Sequence, residues 1–308
     1  MKCVKVAKKD AERVKETLIT QSALSRDFKP VTDEEYIYFP LSKDVEGFET
    51  VDYDCPAIEK EEEIETSSFD QVGDIIILSE EASDEDAQKL IKRPHVKVVL
   101  KKVGIHKGEF RTQDLEWIAG EKRKETIYKE NGVQMELNVE TCYFSPRLST
   151  ERKRIADLVQ DNEKVLVLFS GVAPYPLVIA KHANPDLIVG VEKNPDAHRF
   201  ALYNCRKIKN IELFNKDAKD FQSDIKFDRI LMPLPKSSAE FLPTALKNAK
   251  KGTIIHMYDF ELEEDIPEKT IEKIKEFVKE FEVISINKVG KYAPGKYRIC
   301  VDFRVLAW

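Results

Sequence analysis

From Cys142 onward, short apolar runs alternate with segments whose apolar residues recur at helical spacing, and no other feature of the chain restricts its fold as much. The runs at 164–169, 187–192, 211–214, 228–232 and 252–258 have the length and composition of buried strands. Strands joined by crossover helices build a mostly parallel sheet, so an α/β unit is expected over 142–308. A helix at 269–281, a strand at 282–289, a turn containing Pro294-Gly295 and a strand at 297–306 follow. This closing hairpin predicts an antiparallel edge.

Two smaller α+β units are expected ahead of it. A strand at 2–6, a helix at 9–24 and a strand at 36–40 make a unit over 1–58. The charged run Glu59-Lys60-Glu61-Glu62-Glu63-Ile64-Glu65 reads as a linker or as a solvated helix face. Over 66–141 a strand at 74–78, a helix at 84–92, a strand at 96–103 and strands at 125–129 and 133–139 predict a mixed sheet. Asn131-Gly132 supplies the hairpin turn between the last two.

A net charge of −6 argues at first against a nucleic-acid partner, since phosphate contacts come from Lys and Arg. The charge is uneven, however. Residues 91–154 carry 15 Lys and Arg against 9 Asp and Glu, which is +6 and leaves −12 for the remainder. This predicts a central basic surface, the electrostatic footprint of a nucleic-acid-binding protein, although a solvated charged face gives the same count. No apolar run approaches the roughly eighteen residues of a membrane span, and the first ten residues lack a signal-peptide core, so a cytoplasmic protein without a membrane partner is expected. Its five cysteines are scattered, without a CxxC pair, and are expected to be reduced and mostly buried. Nothing in the sequence calls for a metal.

The chemistry concentrates at the carboxyl ends of three successive strands. The first runs into Phe169-Ser170-Gly171-Val172-Ala173-Pro174, a small-residue turn that lets a ligand approach the backbone at a helix N-terminus. The second ends in Glu192-Lys193-Asn194-Pro195, about twenty residues further on, where a carboxylate can accept from both ribose hydroxyls of a nucleoside cofactor. The third ends at Lys216-Asp217-Ala218, where a carboxylate can take an adenine amino group. Any α/β protein needs tight turns. The three features together predict cofactor binding.

The run Tyr143-Phe144-Ser145-Pro146-Arg147-Leu148-Ser149-Thr150-Glu151-Arg152 resembles the segment entering the catalytic domain of archaeal and eukaryotic tRNA (guanine-37 N1)-methyltransferases, a family that includes wyosine-pathway enzymes. The likeness continues through Gly108-Glu109-Phe110-Arg111, the turn from Phe169 to Pro174, the segment from Val191 to Pro195, Asp228 to Lys236, and Tyr292-Ala293-Pro294. It implies a class I, Rossmann-like methyltransferase domain, S-adenosylmethionine as cofactor, and tRNA as partner through its anticodon loop, with an N-terminal domain that recognises the tRNA elbow. No obligate protein partner is evident.

By that resemblance Glu151 is the base that takes the guanine N1 proton, Arg111 stabilises the charge developing on O6, and Arg152 and Tyr143 order the site. On its own Glu151 also reads as a helix N-terminal acid, and Arg111 as a phosphate-binding residue. The loop Pro233-Leu234-Pro235-Lys236 either walls the pocket or simply ends its strand.

Three positions depart from the family pattern. Pro233 replaces an Asn and loses a side-chain amide, Val167 stands where an Asp is usual, and Ala173 replaces a Gly. A pocket relaxed by the missing amide suits a larger purine, so methylation of the tricyclic wyosine intermediate stands beside methylation of guanine. An aminocarboxypropyl transferase and a catalytically degenerate tRNA-binding protein are the alternatives.

Overall fold

The computed structural model describes residues 1–58 and 69–308, so the charged run at 59–65 lies outside the described residues. The chain divides into two compact units, 1–65 and 66–308.

The first unit contains β1 (Lys2–Ala7), α1 (Ala11–Thr20), β2 (Val31–Thr32), β3 (Tyr36–Pro40) and β4 (Thr50–Asp52), with sheet order β2-β3-β1-β4. Alternation along β1 sends Val4 and Val6 to the face covered by Val14 and Leu18 of α1, while Cys3 joins Tyr38 and Cys55 on the other. The helix ends four residues before the expected Leu24, because the chain turns at Ser22 with φ +52°. Strands β2 and β4 are too short to carry a periodic signal.

The second unit opens with a four-stranded mixed sheet of order β5-β6-β7-β8, built from β5 (Phe69–Val72), β6 (Ile75–Leu78), β7 (Val98–Lys107) and β8 (Thr112–Gly120). Helix α2 (Asp84–Leu90) crosses from β6 to its parallel neighbour β7 and begins with a capping box between Ser83 and Asp86. The expected strands at 125–129 and 133–139 are β9 (Glu125–Glu130) and β10 (Val133–Asn138), but they form a separate hairpin rather than joining the mixed sheet. Asn131 and Gly132 both have positive φ at its tip, as a tight two-residue turn requires. The hairpin is held elsewhere: Met135 packs with Ala173, Leu177 and Ala201, and Leu137 with Val172 and Phe200. Through these shared cores the segment 66–141 packs with 142–308, and both fall in the second compact unit.

After α3 (Ser149–Leu158) comes the alternating region: β11 (Lys164–Leu168), α4 (Pro174–His182), β12 (Leu187–Glu192), α5 (Pro195–Cys205), β13 (Ile211–Asn215), β14 (Phe227–Met232), α6 (Leu242–Asn248), β15 (Ala249–Leu262), α7 (Glu268–Lys275), β16 (Glu280–Ala293) and β17 (Lys296–Ala307). The seven strands lie in the order β13-β12-β11-β14-β15-β17-β16, parallel from β13 to β15 and antiparallel at β17 and β16. This is the Rossmann-like arrangement with its antiparallel hairpin. Successive residues of β11 enter opposite cores, Leu166 and Leu168 one and Val165 and Val167 the other. Helix α7 stops short of the expected Phe281, since Val278 is buried and the chain re-enters the sheet at Glu280. Strand order reverses between β11 and β14, and ligands of such sheets bind outside the strand ends at that reversal.

Candidate active site

At the end of β11 three residues of one turn take left-handed backbone conformations: Phe169 (φ +57°), Gly171 (+55°) and Ala173 (+70°). Only glycine does so freely. Phe169 is steadied edge-on by Phe241, and Ala173 is fully buried at the N-cap of α4, with Pro174 as its first residue. The turn is fastened to β12 by the Glu192 carboxylate, which accepts from the Gly171 amide at 2.7 Å and from the Asn194 amide at 2.7 Å. Burial pushes the Glu192 carboxyl up, and the backbone donors only partly offset it. The Asn194 side chain caps α5 and donates to Thr141 O at 2.7 Å.

These groups fit a nucleoside cofactor. Each Glu192 oxygen spends one lone pair on an amide and keeps capacity for a vicinal diol. A Cβ built on Gly171 would meet nothing closer than Tyr143 O at 3.9 Å, so the turn is open on that side. Ser170 and Val172 face inward, the Ser170 hydroxyl lying beside Gly190, while Ala218 is buried at the end of β13. Asp217 caps the short turn after β13 and pairs with Lys193 at 2.8 Å, which holds its carboxyl below the ordinary range. Lys193 reaches Glu109 as well, at 2.5 Å, and so ties the β7–β8 turn to the strand ends.

Arg111 belongs to that turn, with φ +53°, and its guanidinium lies over the Tyr143 ring at 5.9 Å. Both line a cavity of about 380 Å³ that includes Phe260, Tyr292 and Arg298 from the closing strands. Arg111 and Tyr143 therefore share one cavity, and the Tyr143 carbonyl faces Gly171 of the turn. Arg152 is not among the cavity's residues: it is buried, forms a bidentate pair with Glu130, and donates to Ser145 O at 3.2 Å, bracing the segment after Tyr143. Ion pairs Arg123 with Asp74, Lys124 with Glu140, and Lys102 with Asp70 likewise occupy part of the expected basic surface.

Glu151 is the third residue of α3 and is only 6% exposed. Its side chain caps no amide. Arg154, one turn later, grips both carboxylate oxygens at 2.7 Å, and Tyr258 donates to Oε1 at 2.6 Å. Tyr175, the second residue of α4, donates in turn to Tyr258 at 3.0 Å, which links Glu151 to the helix that follows the cofactor turn. Pro233 and Pro235 stand in the loop after β14, on the far side of the strand-order reversal; Pro235 is buried and Pro233 partly exposed. Val167 is buried beside Ile155, Val178 and Tyr258.

Sequence reasoning passed over Arg154, Tyr258, Asp302 and His256. Arg154 bonds Asp302 at 2.6 Å, and Asp302 bonds His256 at 2.6 Å. The available signal was a polar residue inside an apolar strand, His256 within Ile254-Ile255-His256-Met257 and Asp302 within Cys300-Val301-Asp302-Phe303.

Three family models match the chain: the TRM5/TYW2 methyltransferase domain at 126–286, the tRNA methyltransferase 5 N-terminal domain at 3–49, and the TYW2 N-terminal domain at 57–123. A tRNA (guanine(37)-N(1))-methyltransferase, Trm5b, of Pyrococcus abyssi is 34% identical and covered over 98% of both chains. A tRNA (guanine(37)-N(1))/4-demethylwyosine(37)-methyltransferase, Taw22, of Nanoarchaeum equitans is 33% identical over 78% of this chain and 100% of its own. A tRNA(Phe) (4-demethylwyosine(37)-C(7)) aminocarboxypropyltransferase of Methanocaldococcus jannaschii is 30% identical over 76% of this chain and 96% of its own. Among solved structures, Trm5b of Pyrococcus abyssi superposes with TM-score 0.73 at 32% identity over 99% of each chain. A complex of aTrm5 with tRNALeu superposes with TM-score 0.72 at 30% identity, over 99% of this chain and 100% of that one.

Proposed function

The chain belongs to the TRM5/TYW2 methyltransferase family, and on that premise we propose that it transfers the methyl group of S-adenosylmethionine to N1 of guanine at position 37 of tRNA. The observation that carries this reading over the aminocarboxypropyl alternative is the first unit. It matches the tRNA methyltransferase 5 N-terminal domain, whereas the aminocarboxypropyltransferase relative covers only 76% of the chain. Among the described residues no helix is long and apolar enough to cross a membrane. The reading gives the first unit, 1–58, the tRNA elbow, the segment 66–141 a tRNA-facing role, and 142–308 the anticodon-loop purine and the cofactor.

S-adenosylmethionine supplies an electrophilic methyl group on a sulfonium. Glu192 would hold the ribose hydroxyls, the turn from Phe169 to Pro174 would receive the remainder of the cofactor, and Asp217 with Ala218 would flank the adenine, while Lys193 and Asn194 keep the strand ends in register. The purine leaves its stack, as bases of single-stranded loops do at modest cost. Glu151 would take the N1 proton as the methyl group passes to N1, its bond to sulfur breaking and the electron pair leaving with S-adenosylhomocysteine, and Arg111 would neutralise the charge building on O6. Tyr143 sets the position of Arg111, and Arg152 that of the Tyr143 segment. Pro233 and Pro235 wall the purine.

One observation favours a second substrate. Pro233 offers neither a side-chain amide nor a backbone N–H, so this wall does not select guanine by hydrogen bonding and also accepts the larger tricyclic base. The test is nucleoside mass analysis after incubation with labelled cofactor and two tRNAs, one bearing guanine and one the tricyclic intermediate at position 37. Label in N1-methylguanosine is expected. Label in both nucleosides, with the tricyclic product lost in Pro233→Asn, supports the second substrate; label in neither overturns the assignment.

A further inference from the structure

Behind Glu151 lies a buried chain of alternating charge that the reaction as described does not use. Arg154 stands between two carboxylates: it holds both oxygens of Glu151, and it donates to Asp302 at 2.6 Å through Nη1 and at 3.4 Å through Nη2. Asp302 is clamped on every side, by His256 Nδ1 at 2.6 Å, Ser285 Oγ at 2.7 Å, Cys300 Sγ at 3.1 Å and Asn287 Nδ2 at 3.4 Å. The far nitrogen of His256 meets Arg229 at 2.7 Å, and Arg229 makes a bidentate pair with Glu163. His256 is fully buried, Asp302 and Arg229 nearly so.

Such a chain is costly to remove from water, and apolar side chains of similar volume would pack β15 and β17 at less cost. Its geometry indicates what it achieves. Arg154 alone is a long, partly exposed side chain with several rotamers, and a Glu151 paired only to it would share that freedom. With its other edge fixed to Asp302, on the rigid strand β17, Arg154 has one position, and so does the Glu151 carboxylate. Tyr258, on β15, repeats the constraint from the second strand.

We propose that Asp302 is a positioning residue for methyl transfer, acting through Arg154 to fix the carboxylate of Glu151. The proposal rests on the reading of Glu151 as the base, and the experiment separates the two.

Single-turnover methyl transfer is measured under saturating tRNA and cofactor for the full chain, for Asp302→Asn, for Glu151→Gln and for the double variant, with cofactor affinity by calorimetry and folded fraction by circular dichroism. Asp302→Asn is expected to slow the rate ~10- to 100-fold, the effect of displacing a reacting group by about 1 Å. Cofactor affinity is expected to stay within about threefold of wild type. In the Glu151→Gln background the same substitution is expected to slow the rate no further, because a residue acting only through Glu151 has nothing left to position. Full speed in folded Asp302→Asn, or an equal loss in both backgrounds, overturns the proposal. If Glu151→Gln itself keeps full speed, the reading of Glu151 as base fails instead, and the proposal with it. Should Asp302→Asn not fold, Ser285→Ala removes one clamp and leaves every charge in place; it is expected to slow transfer severalfold in the wild-type background alone, and an unchanged rate overturns the proposal.

Discussion

Two carboxylates of the second unit, Glu151 buried and Glu192 partly buried, are held in place by opposite means. Glu192 is gripped by the backbone, by the amides of Gly171 and Asn194, and its side chain keeps acceptor capacity for a ligand. Glu151 is gripped by side chains, by Tyr258 from a strand 107 positions away and by Arg154, whose own anchor Asp302 lies 148 positions from it. Backbone amides are fixed by the fold and tolerate substitution around them. Side-chain anchors depend on every residue in the chain of contacts. The carboxylate proposed to bind is thus secured locally, and the one proposed to react is secured globally.

The comparison breaks most visibly if the two residues can exchange roles. Glu151→Gln is expected to lower the single-turnover rate by about 10²- to 10⁴-fold, the loss typical of a removed general base, with cofactor affinity nearly unchanged. Glu192→Gln is expected to do the reverse. It weakens cofactor binding by about 10- to 100-fold, as loss of hydrogen bonds to a charged acceptor does, and leaves the rate at saturating cofactor close to wild type. Calorimetry beside rapid-quench assays separates the outcomes, and a rate defect in the second variant would erase the distinction.

A smaller effect sharpens it. The Glu192 carboxyl is raised above 4.5 by burial, so cofactor affinity should fall with decreasing pH sooner than an ordinary carboxylate would allow. Without ligand the sign is opposite: between 4.5 and the raised value the folded state binds more protons than the unfolded, so this group's contribution to stability declines as pH rises. Asp302 behaves the other way. Burial alone would raise it, yet donation from His256 and Arg154 outweighs burial and holds it below its ordinary 3.8. Its contribution is present above 3.8 and is lost as pH falls through the depressed value. Melting temperatures of wild type, Glu192→Gln and Asp302→Asn against pH should show the two slopes removed separately.

The smallest expected effect concerns the turn. Ala173 holds φ +70°, a conformation costing a non-glycine residue of order 1 kcal/mol. Ala173→Gly relieves that strain but removes a buried methyl and loosens the unfolded chain, so stability should move by no more than ~1 kcal/mol by denaturant titration. A larger loss would mean that the turn, too, depends on side-chain packing.

The same contrast separates what was legible in the sequence from what was not. Glu192 was legible as an acidic residue that closes a strand about twenty residues past the small-residue turn. Glu151 was found through its resemblance to a family segment, and nothing near it in sequence announces Tyr258 or Asp302. The strands of the seven-stranded sheet were visible as apolar runs. Strand β8 was not, since the polar Gln113 takes a buried position in its alternation of Gln113, Leu115 and Ala119, between the exposed Asp114 and Glu116. The placement of β9 and β10 was also hidden, because the residues that capture their apolar face, Leu177 and Ala201 among them, lie in helices that follow.

Strand β17 follows both β15 and β16 in the chain, yet it sits between them rather than at the sheet's border. A ribosome delivers residues in order, and everything through β15 emerges while the neighbouring position in the sheet is still vacant. Until residues 296–307 arrive, β15 has a bare edge, Arg154 lacks its second carboxylate, and His256 lacks the acid it leans on. The surroundings of Glu151 are therefore completed late, and a nascent chain that has everything through β15 does not yet hold Arg154 against Asp302.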